Sequence, residues 1–138
     1  MASLKQILTD GDHFARENGC RLIEIREGYA RAELTVETHH LNAAGVCQGG
    51  VYFTLADITF AAVMNSHKQV TVGVQNSITY LRSAHLGDTL IAETEETCNH
   101  HRLPFCETHI TNQHGELLCI VTGSAYRKKD SFEYEGLE

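Results

Sequence analysis

The chain has 138 residues, 42% of them hydrophobic, a single proline and a formal charge of −7. This length accommodates one domain with a real core, and the scarcity of proline leaves little room for a linker. The acidic balance disfavours a nucleic-acid binder that relies on phosphate attraction, while leaving room for a small anion held by local arginines.

In chain order, Ser3-Leu4-Lys5-Gln6 has the form of a capping box. It opens an N-terminal helix within residues 1–19, with Leu4, Ile7 and Leu8 on one side. Gly11 weakens the middle of this helix, Phe14 is placed back on its apolar face, and Asn18-Gly19 ends it. Cys20 to Arg26 reads as a strand, with a turn at Glu27-Gly28. Ala30, Ala32, Leu34 and Val36 then alternate with Arg31, Glu33, Thr35 and Glu37, the period of a half-buried strand. Thr38 to Val46 is a loop. From Gly49 to Ser66 apolar residues fall on every face, which predicts a helix enclosed on all sides.

Val70 to Leu81 is rich in β-branched residues, and Val70, Val72, Val74, Ile78 and Tyr80 are assigned to one face. The loop Arg82 to Gly87 leads into a strand at Thr89 to Cys98 and a polar turn at Asn99 to Pro104. Phe105 to Thr111 and Leu117 to Tyr126 form a hairpin closed at Gln113-His114-Gly115. Residues 128–138 read as a flexible tail. A helix that is apolar all round needs an antiparallel sheet curled about it, so the expected fold is a single α+β domain over 1–138. Apolar residues on both parities of Leu117 to Val121 point to a second subunit covering part of the outer sheet surface, the plainer alternative being irregular hydrophobicity within one monomer's core.

The central helix carries one carboxylate, Asp57, with nothing beside it in sequence to neutralise it. Burying an unpaired carboxylate costs several kcal/mol, so its presence asks for a function. Gly49 and Gly50 sit where the helix starts, leaving backbone N–H groups free to face outward. A carboxylate and amide donors at a helix start are parts of an acyl-transfer site. The plainer alternatives are a carboxylate that caps a neighbouring loop, and glycines that merely allow close packing.

The run His40-Leu41-Asn42-Ala43-Ala44-Gly45-Val46-Cys47-Gln48-Gly49-Gly50, followed by Leu55-Ala56-Asp57, resembles the signature of hotdog-fold acyl-CoA thioesterases. The branch it is most similar to is the phenylacetate-pathway type, patterned H-x-N-x-x-G-x-x-H-G-G and then L-x-D. Asn76 to Arg82 with Gly87-Asp88 is similar to the same family's strand after the helix, and Gly115 to Arg127 to its last hairpin. The resemblance implies a hotdog fold, a long central helix wrapped by a curled antiparallel sheet. It implies hydrolysis of a small or medium acyl-CoA, with coenzyme A present only as part of the substrate and neither metal nor cofactor required.

Asp57 would then be general base or nucleophile, and the Gly49 N–H would polarise the thioester carbonyl, with Gly50 beside it in substrate binding. Asn42 would orient the substrate or water. Gln48 stands where the family usually has histidine; it can donate a hydrogen bond but cannot shuttle a proton. Gly73 stands where many relatives carry serine or threonine, and Thr71 and Gln75 are the substitutes in view. The departure at Gln48 is the main support for the competing reading, a noncatalytic acyl-CoA-binding module acting as sensor or scaffold.

Gly49 and Asp57 lie eight residues apart, about 12 Å of helical rise. One thioester cannot readily reach both, so the expected arrangement is a homodimer with shared active sites, paired further into a tetramer. Arg82 and Arg102 are the candidates for gripping the coenzyme A phosphates. Cys47 has no surrounding signature of a cysteine nucleophile. The five cysteines form no C-x-x-C and read as reduced structural thiols. The histidine doublets His39-His40 and His100-His101 point to opposite sides and make poor chelators. No apolar run spans a bilayer and the N-terminus lacks a leader pattern, so a cytoplasmic protein without membrane partners is expected.

Overall fold

A computed structural model describes residues 1–138. The N-terminal segment forms two short helices, α1 (Leu4–Gly11) and α2 (His13–Glu17), rather than one. The Ser3 side chain accepts the Gln6 N–H at 3.1 Å, but Gln6 turns its own amide to Asp10, so only half of the capping box forms. Asp12 leaves the helical region at ψ 82° and caps α2 by accepting the Ala15 N–H at 3.0 Å. This break places Ala15 inward and leaves Phe14 67% exposed, so Phe14 does not join the apolar face as expected.

Six strands form one antiparallel sheet in the order β1-β2-β4-β5-β6-β3. They are β1 (Arg21–Arg26), β2 (Tyr29–Thr35), β3 (Gln69–Tyr80), β4 (Thr89–Cys98), β5 (Phe105–Thr111) and β6 (Leu117–Ser131). The sheet curls around α3 (Gly49–Met64), and the alternation expected on β2 turns Ala30, Ala32 and Leu34 into the core. Leu34, Leu55, Leu90 and Ile110 are completely buried between helix and sheet, each contributing about 1.5–3 kcal/mol by removal from water. Three buried threonines cross the same interface: Thr94 bonds Thr59 at 2.8 Å and Thr108 at 2.6 Å, while Thr59 donates to the Ala56 carbonyl. Their hydroxyls satisfy one another, so the core admits them without an orphaned polar group.

α3 stops two residues earlier than the apolar pattern indicates. Asn65 ends it, donating to the Ala61 carbonyl and accepting the Thr71 N–H at 2.9 Å. Its enclosure is also incomplete. A single sheet covers one side of the helix, so a stripe through Gly50, Phe53, Thr54, Asp57 and Ala61 stays open or half-open.

The face assignment on β3 is corrected by a bulge. The register with β6 slips between Gly73 and Gln75, leaving Val74 as the extra residue. Thr71 and Gly73 face inward before the bulge, Asn76, Ile78 and Tyr80 after it, opposite Arg127, Ala125, Gly123, Val121 and Cys119. Val72 and Val74 are exposed instead. The other side of β3 is a free sheet edge.

The C-terminal residues differ from the flexible tail read from their polarity. β6 continues to Ser131, and Tyr134 is buried with its hydroxyl donating to the Asn65 carbonyl and accepting the Lys68 N–H. The Gly136 carbonyl accepts the Leu4 N–H, and the Glu138 carboxylate accepts the Ile25 N–H at 2.7 Å. A few apolar and capping groups spaced among charges pin this segment, a pattern too sparse to register as periodicity.

Candidate active site

The loop before α3 is organised by His40. Its ring is buried, Nδ1 accepting the Glu37 N–H at 2.9 Å and Nε2 facing the Asn18 carbonyl at 2.7 Å. Because the Glu37 backbone N–H can only donate, Nδ1 is the acceptor and Nε2–H donates to the Asn18 carbonyl. Glu37, His39 and His40 lie close enough together to suggest a metal site, but both His40 nitrogens are already engaged. The His40 carbonyl accepts the Gln48 N–H at 2.8 Å, so this one residue braces the entry to α3.

Asn42 closes the next turn: its Oδ1 accepts the N–H groups of Ala44 and Val46 at 2.9 and 3.2 Å. Its Nδ2 remains free to donate. Gln48 is the N-cap of α3, and its side-chain oxygen accepts the Gly50 N–H. That use takes Gly50 out of the pool of donors and leaves only the Gln48 NH₂ group free. The Gly49 N–H, one residue in, has no acceptor within the chain. It is the helix-start donor available to a ligand, backed by the positive end of the helix dipole.

Gly49 opens onto a cleft of about 470 Å³ lined by Asn42, Tyr52, Tyr80, Arg82 and Ser83 among others. The Tyr80 hydroxyl donates to the Gly49 carbonyl at 3.1 Å, and a Cβ at Gly49 would lie 3.0 Å from that oxygen. Tyr52 accepts the Ala84 N–H at 2.8 Å and meets Tyr80 edge-on, ring centroids 5.8 Å apart. The sequence offered no sign of these tyrosines as site residues, because each occupies an ordinary inward position of its element. The Arg82 guanidinium is largely exposed at the mouth, 4.0 Å from Glu116. A concavity of similar size on the outer sheet face is lined by Glu93, Glu95, Glu96 and Glu107, which repel a polyanion such as coenzyme A.

The fold thus brings Asn42, Gly49 and Arg82 together, with Gln48 and Gly50 adjoining them at the cap. It does not bring Arg102: that guanidinium is held in the β4–β5 turn, donating to the Arg127 carbonyl at 2.9 Å. Asp57 does not line the cleft either. It stands on the exposed stripe of α3 with no hydrogen-bond or ion-pair partner, a correction to the enclosed carboxylate expected from the sequence. Neighbouring protein still crowds its carboxyl, and this desolvation, followed by the charge of Asp12, raises its pKa above the ordinary carboxylate value. Cys47 lies at the cleft, but burial pushes its thiol up to about 11, so it is no thiolate at neutral pH. Of the two residues considered in place of the missing hydroxyl at Gly73, Thr71 gives its hydroxyl proton to the Gln69 carbonyl and Gln75 faces outward.

A helix clasped by one curled antiparallel sheet is the hotdog fold. The chain belongs to the thioesterase superfamily, whose family model matches residues 44–120. It is 38% identical over 112 residues to a putative esterase of Archaeoglobus fulgidus, covering 81% of this chain and 73% of that one. It is 30% identical over 118 residues to the acyl-coenzyme A thioesterase PaaI of Escherichia coli, covering 86% and 84%. The solved structure of the E. coli PaaI protein, from the phenylacetic acid degradation operon, superposes with a TM-score of 0.82 over 94% of this chain and 99% of that one, at 28% identity. A hypothetical thioesterase of Streptococcus pneumoniae, solved with coenzyme A, also gives 0.82 at 26% identity, covering 89% and 98%.

Proposed function

We propose that this chain hydrolyses small or medium acyl-CoA thioesters, aromatic or aliphatic, to the free acid and coenzyme A. The observation that carries this reading is the unpartnered Gly49 N–H at the mouth of the cleft. A thioester oxygen placed there accepts a hydrogen bond that strengthens as negative charge develops on it. The free Nδ2 of Asn42 orients the acyl carbonyl or the water, and Arg82 meets the phosphates of coenzyme A. Gln48 holds the cap in shape and keeps its amide nitrogen as a second donor. Asp57 takes the proton of the attacking water, or attacks first and forms an anhydride that water then cleaves. Relatives' names supply the acyl-CoA class, since PaaI of E. coli is an acyl-coenzyme A thioesterase and the S. pneumoniae protein binds coenzyme A.

Asp57 and the Gly49 cleft are joined in this proposal by a second copy of the chain. β3 is a 12-residue strand at the sheet edge, with Val72 and Val74 exposed along it. A long open edge of this kind pairs with its like. Pairing brings two α3 stripes together, so that Asp57 of the partner subunit faces the Gly49 of this one. Phe105 and Tyr126, exposed on the outer face, favour a further pairing into tetramers.

The test is release of free thiol from an acyl-CoA panel by wild type and Asp57→Ala. Turnover by the wild type and its loss in the variant support the reading; turnover that survives removes Asp57 from the chemistry. The use of the Gln48 oxygen as a helix cap favours one second reading, an acyl-CoA-binding module without catalysis. Tight binding of coenzyme A thioesters with no turnover across the panel would select it.

A further inference from the structure

The bulge at Val74 has turned a polar side chain to the helix side of β3, where the chain has no partner for it. Asn76 is half-buried, and its amide makes no hydrogen bond within the chain. Two glycines make the space it occupies. A Cβ at Gly123 would overlap the Asn76 Oδ1 and come within 2.7 Å of the Phe60 ring. A Cβ at Gly73 would meet the other edge of that ring at 3.3 Å and the Asn76 Nδ2 at 3.8 Å. The amide therefore lies between two bare backbones with Phe60 against it, Oδ1 toward Gly123 and Nδ2 toward the open side at Gly73. Phe60 is three residues beyond Asp57 on α3, one turn along the face next to it. A buried-side amide that packs on glycine and apolar carbon gains nothing from its polarity unless something else bonds to it.

We propose that Asn76 is a catalytic residue of the Asp57 half-site, its Nδ2 donating a hydrogen bond to the water that attacks the acyl carbon. The proposal rests on the thioesterase reading above and extends it. In the step it serves, the water oxygen bonds to the carbonyl carbon and one water proton passes to the Asp57 carboxylate. The carbon–sulfur bond then breaks, and coenzyme A leaves as the thiol after taking that proton. An amide donor on the far side of the water from Asp57 leaves a lone pair directed at the acyl carbon. The same position serves the anhydride route, where water attacks in the second step. Neither Thr71 nor Gln75 offers this donor, since the first is bonded to its own strand and the second points away.

The experiment measures steady-state hydrolysis of phenylacetyl-CoA and hexanoyl-CoA by wild type, Asp57→Ala, Asn76→Ala and Asn76→Asp, with a thermal melt of each. Asn76→Ala should lower kcat by about 10²-fold with little change in KM or melting temperature. Asn76→Asp keeps the shape but adds a second carboxylate to the proposed Asp57 half-site, so the acid limb of its kcat–pH profile should move to higher pH. Adding Gly73→Ser to Asn76→Ala should recover part of the lost kcat, because a serine hydroxyl would reach the space that Nδ2 left. Wild-type kcat in Asn76→Ala, or an acid limb unmoved in Asn76→Asp, with Asp57→Ala inactive, overturns the role of Asn76 and leaves the thioesterase reading intact. A loss of kcat that tracks a lowered melting temperature without rescue by Gly73→Ser also overturns it. Absence of turnover by the wild type on both substrates defeats the thioesterase reading itself, whereas full activity in Asp57→Ala removes the carboxylate half-site in which Asn76 is placed and overturns the inference.

Discussion

Asp57 was singled out because a lone carboxylate in an apolar run is costly, and the structure changes the form of that cost. The carboxyl opens to solvent from the isolated chain, yet crowding and the nearby charge of Asp12 still raise its pKa. Catalysis by the carboxylate should therefore fall away on acidification at a pH above the ordinary carboxylate range of about 4. Asp12→Asn keeps the oxygen that caps α2 but removes the charge, so the acid limb of the kcat–pH profile should shift to lower pH. The stability sign is the reverse of a paired carboxylate: a raised folded-state pKa favours folding below the unfolded pKa, and that advantage is lost as pH rises through the folded pKa. At this same scale, Gly49 and Asp57 stand out from residue type and spacing, whereas Asn42 and Gln48 become candidates only through the family resemblance. That Gln48 is spent on Gly50 was not legible, because a side-chain rotamer is set by the local turn and not by the order of residues.

Among the elements, α3 and the alternation on β2 follow directly from their apolar patterns. β3 and the C-terminal segment did not, for two separate reasons. On β3, one inserted residue at Val74 reverses every later side chain, and a β-branched run reads the same with or without it. At the C-terminus, the Tyr134 hydroxyl bridges the end of α3 and the turn before β3, where Lys68 takes a left-handed conformation at φ 61°. Tyr134→Phe keeps the packing but leaves the Asn65 carbonyl and the Lys68 N–H without this partner. Urea denaturation should show a loss of about 1–3 kcal/mol, the cost of unsatisfied groups. An unchanged midpoint would return residues 132–138 to the status of a loosely attached tail.

The whole molecule carries a cleft at Gly49 and, two turns on along the same helix but outside that cleft, the carboxylate of Asp57. If the two make one site across a dimer, each of two inactive variants can lend its intact half to the other. Asp57→Ala mixed with Asn42→Ala, after subunit exchange, should regain up to about a quarter of wild-type activity by the statistics of one good site per heterodimer. Heterodimers that form and remain inactive would place both residues in a single-chain site. The free edge of β3 and the open stripe of α3 are the surfaces that such a dimer would cover.

What the sequence by itself determined is the set of local facts that periodicity and residue chemistry can carry. It located a central apolar helix, strands before and after it, glycines and a glutamine at the helix start, and one carboxylate two turns in. These depend on neighbours within a few residues, and short-range sterics and hydrogen bonding settle them. Only the tertiary structure decided that Asp57 is exposed, that Arg102 is held in a distant turn, and that Tyr52 and Tyr80 line the cleft. It also decided that a single bulge sets Asn76 beside Phe60. Each of these depends on which elements of distant sequence number pack against one another, and burial, register and accessibility are properties of that packing.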